Sequence, residues 1–183
     1  MKMTKVNFVK SARKDYPDAG IAKGDSYYWW SFRFGGRRVS KTPPKPSQLT
    51  QSEFLSTMYS AQEQVEVMSA STVPELEEIV GDLRSLAEDI RSLGDNQADK
   101  LSNMPDNLQQ AETGQLLESR VGACETIGQD LDEAADLVEE AVEEINTLKE
   151  PEAGREEVLD EADEAIRIEG ALDALGNISW EFE

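Results

Sequence analysis

The chain has 183 residues, 38 of them acidic and 18 basic, with one cysteine, no histidine and a formal net charge of −20. The missing histidine removes Ser–His and Cys–His couples and every His-containing metal site. A single cysteine, Cys124, allows no intrachain disulfide and implies nothing about an oxidising compartment. The charge is uneven: residues 1–47 hold 11 Lys+Arg and 3 Asp+Glu, whereas residues 48–183 hold 7 and 35. Such asymmetry points to a charged partner, or to two halves that neutralise each other. No stretch approaches ~18 apolar residues, and MKMTKVNFVK lacks the apolar run of a signal peptide. The expected setting is soluble and cytoplasmic, with no membrane.

In chain order, Lys5–Val9 alternates like a short first strand. Residues 10–25 are basic and broken by Pro17, Gly20 and Gly24, which reads as a loop. Aromatic alternation then runs into Gly35-Gly36 and a basic strand, the pattern of a hairpin. A two-residue loop sets Phe34 opposite Arg37, Phe32 opposite Val39 and Trp30 opposite Lys41. Tyr28, Trp30, Phe32, Phe34 and Val39 then form a buried face. Tyr27, Trp29, Ser31, Arg33, Arg38 and Ser40 form the other. KTPPKP, from Lys41 to Pro46, is a stiff linker.

Beyond it the pattern is helical. Thr50-Gln-Ser-Glu53 and Thr72-Val-Pro-Glu75 read as capping boxes. Phe54, Met58, Ala61, Val65 and Met68 recur on one face, as do Leu76, Ile79, Leu83, Leu86, Ile90 and Leu93. Residues 94–115, with Gly94, Pro105 and Gly114, read as a loop or broken helix, although Ala98 and Leu101 could extend the preceding one. Leu117, Cys124, Leu131, Val138 and Ile145 lie seven apart, with Ile127, Ala134, Ala141 and Leu148 between them and Arg120 the misfit. A helix from Gln115 to Lys149 is roughly 50 Å long. Pro151 and Gly154 end it, and Val158, Ala162, Ala165 and Leu172 suggest a last helix. Residues 178–182 alternate again, as a strand returning to the sheet would. The expected fold is mainly α with a small N-terminal β-module, an α+β chain. Residues 1–47 form a basic aromatic hairpin or three-stranded sheet, and residues 48–183 an acidic bundle or coiled coil.

No catalytic residue, cofactor or metal site is expected. No phosphate loop of the Walker type or calcium loop is present in the sequence. Cys124 lies on the apolar seam, where a thiol is structural. Two binding faces remain. Tyr27, Trp29, Arg33 and Arg38 could stack on bases and neutralise phosphates, with Lys10, Arg13, Lys14 and Lys41 widening the patch. The competing reading turns these cations toward the chain's own acidic helices. The second face is Asp132, Glu133, Glu139, Glu140, Glu143 and Glu144. Between Asp130 and Glu144 there are eight acids over roughly 22 Å of helix. Two adjacent helices of this kind would approach the charge density of duplex DNA, one charge per ~1.7 Å, and could mimic it. A third reading is a scaffold whose seam, Leu131, Val138 and Ile145, makes homo-oligomers.

Strand, Gly-Gly turn, basic strand, linker and helix over residues 4–68 resemble the arm-type DNA-binding domain of phage tyrosine integrases. That domain packs a three-stranded sheet on one helix; here no catalytic domain follows. YYWWSFRFGGRRVSKTPPKPSQLTQSEF and NMPDNLQQAETGQLLESR resemble stretches in small proteins of phages and mobile elements. These resemblances imply a mobile-element origin, a host-cell cytoplasmic setting, and nucleic acid or a host DNA-binding protein as partner.

Overall fold

A computed structural model describes residues 4–149 and 159–182. The chain divides into two compact units, Met1–Glu63 and Gln64–Glu183. The first carries a small antiparallel sheet and the second is helical, so the chain is α+β with helix predominating.

The N-terminal unit holds strands β1 (Asn7–Val9), β2 (Tyr27–Phe32) and β3 (Gly36–Ser40) in that order across the sheet. The register corrects the two-residue turn. Trp29 pairs with Val39, Trp30 with Arg38 and Phe32 with Gly36, so the loop is Arg33-Phe34-Gly35. A two-residue hairpin loop needs positive φ at both central positions in a type I′ turn and at the first in a type II′ turn. Of the two glycines only Gly36 has it, at φ 73°, and it closes a three-residue loop instead. Gly35 carries no left-handed backbone; the end of the exposed Gln51 side chain lies beside it. The slip is an odd number of residues, so β3 turns over relative to β2. Val39 and Arg37 join the Tyr27–Trp29 face, and Arg38 joins the Trp30 face.

Each face has its own cover. Residues 10–25 fold back on the first, where Ala12, Ile21 and Tyr27 are buried among Val9, Tyr16, Ala19, Trp29 and Val39. This segment is ordered by backbone bonds from Ala12 N to Asp25 O, from Gly24 N to Ala12 O and from Tyr16 N to Ile21 O. On the second face Trp30 is buried and its Nε1 donates to Gln48 O at 3.1 Å. A 3-10 turn, Pro46–Leu49, follows the linker. Thr4 Oγ1 donates to Leu49 O at 2.9 Å, and Ser47 N and Oγ donate to the Glu63 carboxylate at 2.9 and 2.8 Å.

Helix α1 (Glu53–Val65) starts two residues later than a Thr50 cap would allow. Ser52 caps it, its Oγ accepting from Leu55 N, while Thr50 Oγ1 accepts from Ser52 N. Phe54, Met58, Ala61 and Val65 are buried as their spacing requires.

The C-terminal unit is built on a helical hairpin of α2 (Val73–Ser102) and α4 (Glu112–Lys149), with a short α3 (Asp106–Gln109) between them. At the start of α2, the Glu75 carboxylate accepts from Ser71 N and Thr72 N, the acidic half of a capping box. Leu76, Leu83 and Ile90 of α2 and Leu131, Val138 and Ile145 of α4 are fully enclosed. Each contributes about 1.5–3 kcal/mol by leaving water. Arg84 meets Glu139, Arg91 meets Asp132 and Gly94 meets Cys124. Rising numbers on α2 meet falling numbers on α4, so the helices are antiparallel.

Gly94 and Gly114 are therefore not breakers: Gly94 lies inside α2 and Gly114 inside the first turns of α4, where a Cβ would collide with Gln109 O. Helix α5 (Glu161–Leu172) is capped by Asp160, which accepts from Asp163 N at 2.8 Å. Its buried positions are Ile168 and Ala171, whereas Ala162 and Ala165 are exposed; Val158 lies outside the described residues. The tail corrects another expectation. Residues 178–182 form no strand; Ser179 N donates to Asp130 Oδ2 on α4 at 2.9 Å, and Ile178 and Phe182 are buried. Among the described residues no helix is long and apolar enough to cross a membrane.

Candidate nucleic-acid interface

The sheet register decides where each candidate stands. Tyr27 is 5% exposed, under residues 10–25, so it is unavailable for stacking on a ligand. Its hydroxyl accepts from Arg37 Nη2 at 3.1 Å. Trp29, two positions on, is half-buried and carries the Arg37 guanidinium over its ring at 4.2 Å. Arg37 is diagonal to Trp29 on the same face, within reach of a long side chain. The two-residue turn had set Arg37 against the core, and only the three-residue register reveals it; the signal was a single left-handed glycine.

Arg38 stands on the opposite face, over Phe32 at 5.5 Å, and Arg33 stands at the loop, over Phe34 at 5.2 Å. Phe34 itself, expected in the core, is 87% exposed. Phe8 of β1 is 54% exposed and packs against Tyr28, with ring centroids 5.1 Å apart. Arg13 and Lys14 are exposed on the segment that covers Tyr27, with Lys14 over Tyr16 at 5.1 Å. Lys10 is exposed beside them. Among the described residues Lys41 alone of these basic candidates is ion-paired, to Asp25 at 3.1 Å. The candidates thus occupy both faces and the tip of the hairpin rather than one plane.

Three acids of this unit are committed elsewhere. Asp15 accepts from Lys23 N, Asp25 accepts from Ala22 N and Lys41, and Glu63 accepts from Ser47. The Ala22 N–H and then the Lys41 ammonium hold the Asp25 carboxyl below the usual aspartate range. Among the described residues Arg13, Lys14, Arg33, Arg37 and Arg38 make no ion pair with a carboxylate. Arg33, Arg37 and Arg38 lie over aromatic rings, an arrangement in which a guanidinium can take a phosphate while its ring neighbour takes a base.

On α4 the acidic candidates fall into two groups. Arg84 holds Glu139 at 2.6 Å and Asp136 at 3.2 Å. The two carboxylates raise the Arg84 pKa further, Glu139 contributing the larger share. Arg91 holds Asp132 and also donates to Gly128 O at 3.0 Å. Arg167 of α5 holds Glu144 at 2.6 Å. Glu133, Glu140 and Glu143 are exposed without an ion pair among the described residues; Glu133 accepts from Gln129 Nε2 at 2.7 Å. The two edges of α4 that meet neighbouring helices are partly neutralised, and the outward band keeps its charge.

Two further expectations meet the geometry directly. Leu131, Val138 and Ile145 are spent inside the α2–α4 hairpin and offer no seam to a second chain. Cys124 is buried, and desolvation pushes its thiol up to about 11, away from nucleophilic use. Among the described residues no cluster of acids or cysteine has the form of a metal site. Comparisons of the chain with protein-family models, with curated proteins and with solved structures return no match.

Proposed function

We propose that this is a non-enzymatic interaction protein of a phage or other mobile element that binds nucleic acid through its basic N-terminal unit. One observation carries the reading: Arg33, Arg37 and Arg38 each lie over an aromatic ring, and among the described residues none meets a carboxylate. A structural arginine normally ends in an ion pair or a carbonyl. Arg37 has a partial anchor in the Tyr27 hydroxyl, and the other two have only the ring. Asp15, Asp25 and Glu63 of the same unit are bonded to backbone N–H groups or to Lys41.

The test is binding of the full chain to labelled DNA and RNA across a salt series. Affinity should fall linearly in log–log form, and replacing Arg33, Arg37 and Arg38 by alanine should lower that slope by about one per lost phosphate contact. Absence of any binding at low salt would sink the reading.

A second reading is supported by the outward band of α4, where Glu133, Glu140 and Glu143 stay exposed and, among the described residues, outside any ion pair. In it the helical unit occupies a host DNA-binding protein as a nucleic-acid mimic. The pairing of Asp132, Glu139 and Glu144 lowers the charge density, which favours the first reading. Here the intact protein competes with DNA for that protein, and Glu133→Gln, Glu140→Gln and Glu143→Gln together abolish the competition. Competition that survives all three substitutions would rule mimicry out.

A further inference from the structure

The hairpin tip places an apolar ring where a folded chain gains nothing from it. Phe34 is 87% exposed, the highest of the exposed large hydrophobic side chains among the described residues. It sits in the middle of the three-residue loop, with Arg33 before it and Arg37 and Arg38 opening the next strand. Residues 33–38 contain three arginines and no acid.

The loop is also short. Three residues join strands whose pairing ends at Phe32 and Gly36, and Gly36 closes the turn at φ 73°. A short loop pinned at both ends by strand pairing restricts the direction of its middle residue, which reduces the ordering lost on binding. The two glycines leave the backbone beside the ring bare, so a sugar–phosphate chain can come close.

We infer that Phe34 is a stacking wedge for an unpaired base, with Arg33, Arg37 and Arg38 holding the phosphates on either side. This rests on the proposed nucleic-acid reading and narrows it to strands whose bases are already free. The choice of single strand over duplex follows from relative magnitudes. Opening a stacked duplex step costs as much as, or more than, one phenyl–base stack returns, and only one ring stands at this tip. An unpaired base presents its face without that cost. Every base has a π-face, so the contact is indifferent to sequence.

The experiment measures anisotropy of the full chain with a labelled oligothymidylate of about 20 nucleotides and with a mixed-sequence duplex of the same length. Wild type should bind the single strand more tightly than the duplex. Phe34→Ala should weaken single-strand binding roughly 5- to 150-fold. It should leave duplex binding and the salt slope unchanged, and Phe34→Trp should restore the loss. Circular dichroism of each variant should match wild type, because the ring is 87% exposed. If wild type binds nucleic acid but Phe34→Ala binds the single strand equally well, or if the duplex is preferred, the wedge is overturned and the basic unit stands as a phosphate binder alone. If wild type binds neither ligand at low salt, the wedge and the reading beneath it fall together.

Discussion

Gly94 of α2 lies directly against Cys124 of α4: a Cβ built on the glycine would stand 2.9 Å from the cysteine Cβ. Both atoms belong to stiff regions of packed helices, so neither can yield cheaply. Gly94→Ala gains up to ~1 kcal/mol of helix propensity. It must also push α2 and α4 apart in their buried seam, which costs about 1–3 kcal/mol. The net expectation is a loss of up to ~2 kcal/mol in chemical denaturation. Gly81, also within α2, has open space around its Cα. Gly81→Ala should therefore gain roughly 0.5–1 kcal/mol. If both variants gained, the close approach at Gly94 would be disproved.

The same seam fixes the chemistry of Cys124. Its sulfur is buried, and burial alone pushes the thiol up to about 11. At neutral pH it is protonated and out of reach, the two conditions under which a thiol does not react. A disulfide reagent should leave the native protein unlabelled and titrate one thiol per chain once denaturant is added. Prompt stoichiometric labelling in native buffer would show that the hairpin opens readily near Cys124.

The helical unit was largely legible in the sequence because seven-residue periodicity is written redundantly. Leu76, Leu83 and Ile90 on one helix and Leu131, Val138 and Ile145 on the other all went where their spacing put them. Gly94 and Gly114 misled because a glycine that admits a neighbouring helix has the same letter as one that ends a helix. The sheet was legible in content but not in register. Two glycines side by side suggested one two-residue turn, yet only Gly36 takes the left-handed backbone. Which of two adjacent glycines carries the positive φ is set by the strand pairing, and no local pattern reports it. That one error placed Phe34 in the core and hid Arg37; Tyr27 is buried for a different reason, the cover made by residues 10–25, which read only as a loop. The tail from Ile178 to Phe182 alternates as a strand does, but its buried side chains belong to the helical unit, and Asp130 takes its backbone N–H.

Asp25 carries the pH dependence that the basic unit shows most directly. Its carboxyl is lowered first by the Ala22 N–H and second by Lys41. A depressed carboxyl contributes stability that is complete above its unfolded-state value and lost as pH falls through its folded-state value. The bracing of the turn at Ala22–Asp25 should thus hold at neutral pH and fail only below the ordinary aspartate range. A carbon-detected NMR titration should put the Asp25 midpoint below that of an aspartate in an unfolded peptide. Lys41→Ala should raise the midpoint only some of the way, because the larger cause remains. A midpoint restored fully by Lys41→Ala would reverse the order of the two causes.

Salt should stabilise this protein, against the usual expectation for a surface rich in ion pairs. Residues 48–183 carry 35 acids and 7 bases, so the bases can answer only a minority of the acids. Each exposed pair, such as Arg167–Glu144, is worth about 0–1 kcal/mol, and salt weakens it. Like-charge neighbours such as Glu140 and Glu144 destabilise by ~0.2–0.5 kcal/mol each, and the net excess adds repulsion across the whole unit. Screening removes more repulsion than attraction here. The melting temperature should rise between low salt and roughly the ionic strength at which the Debye length falls to about 3 Å. Glu140→Gln, which removes one repulsive partner and no ion pair, should raise the low-salt melting temperature and shrink its gain with salt. Arg84→Ala, which releases Asp136 and Glu139 together, should do the opposite on both counts. A melting temperature that falls as salt is added would mean that the few arginine pairs, rather than the acidic excess, govern the stability of the helical unit.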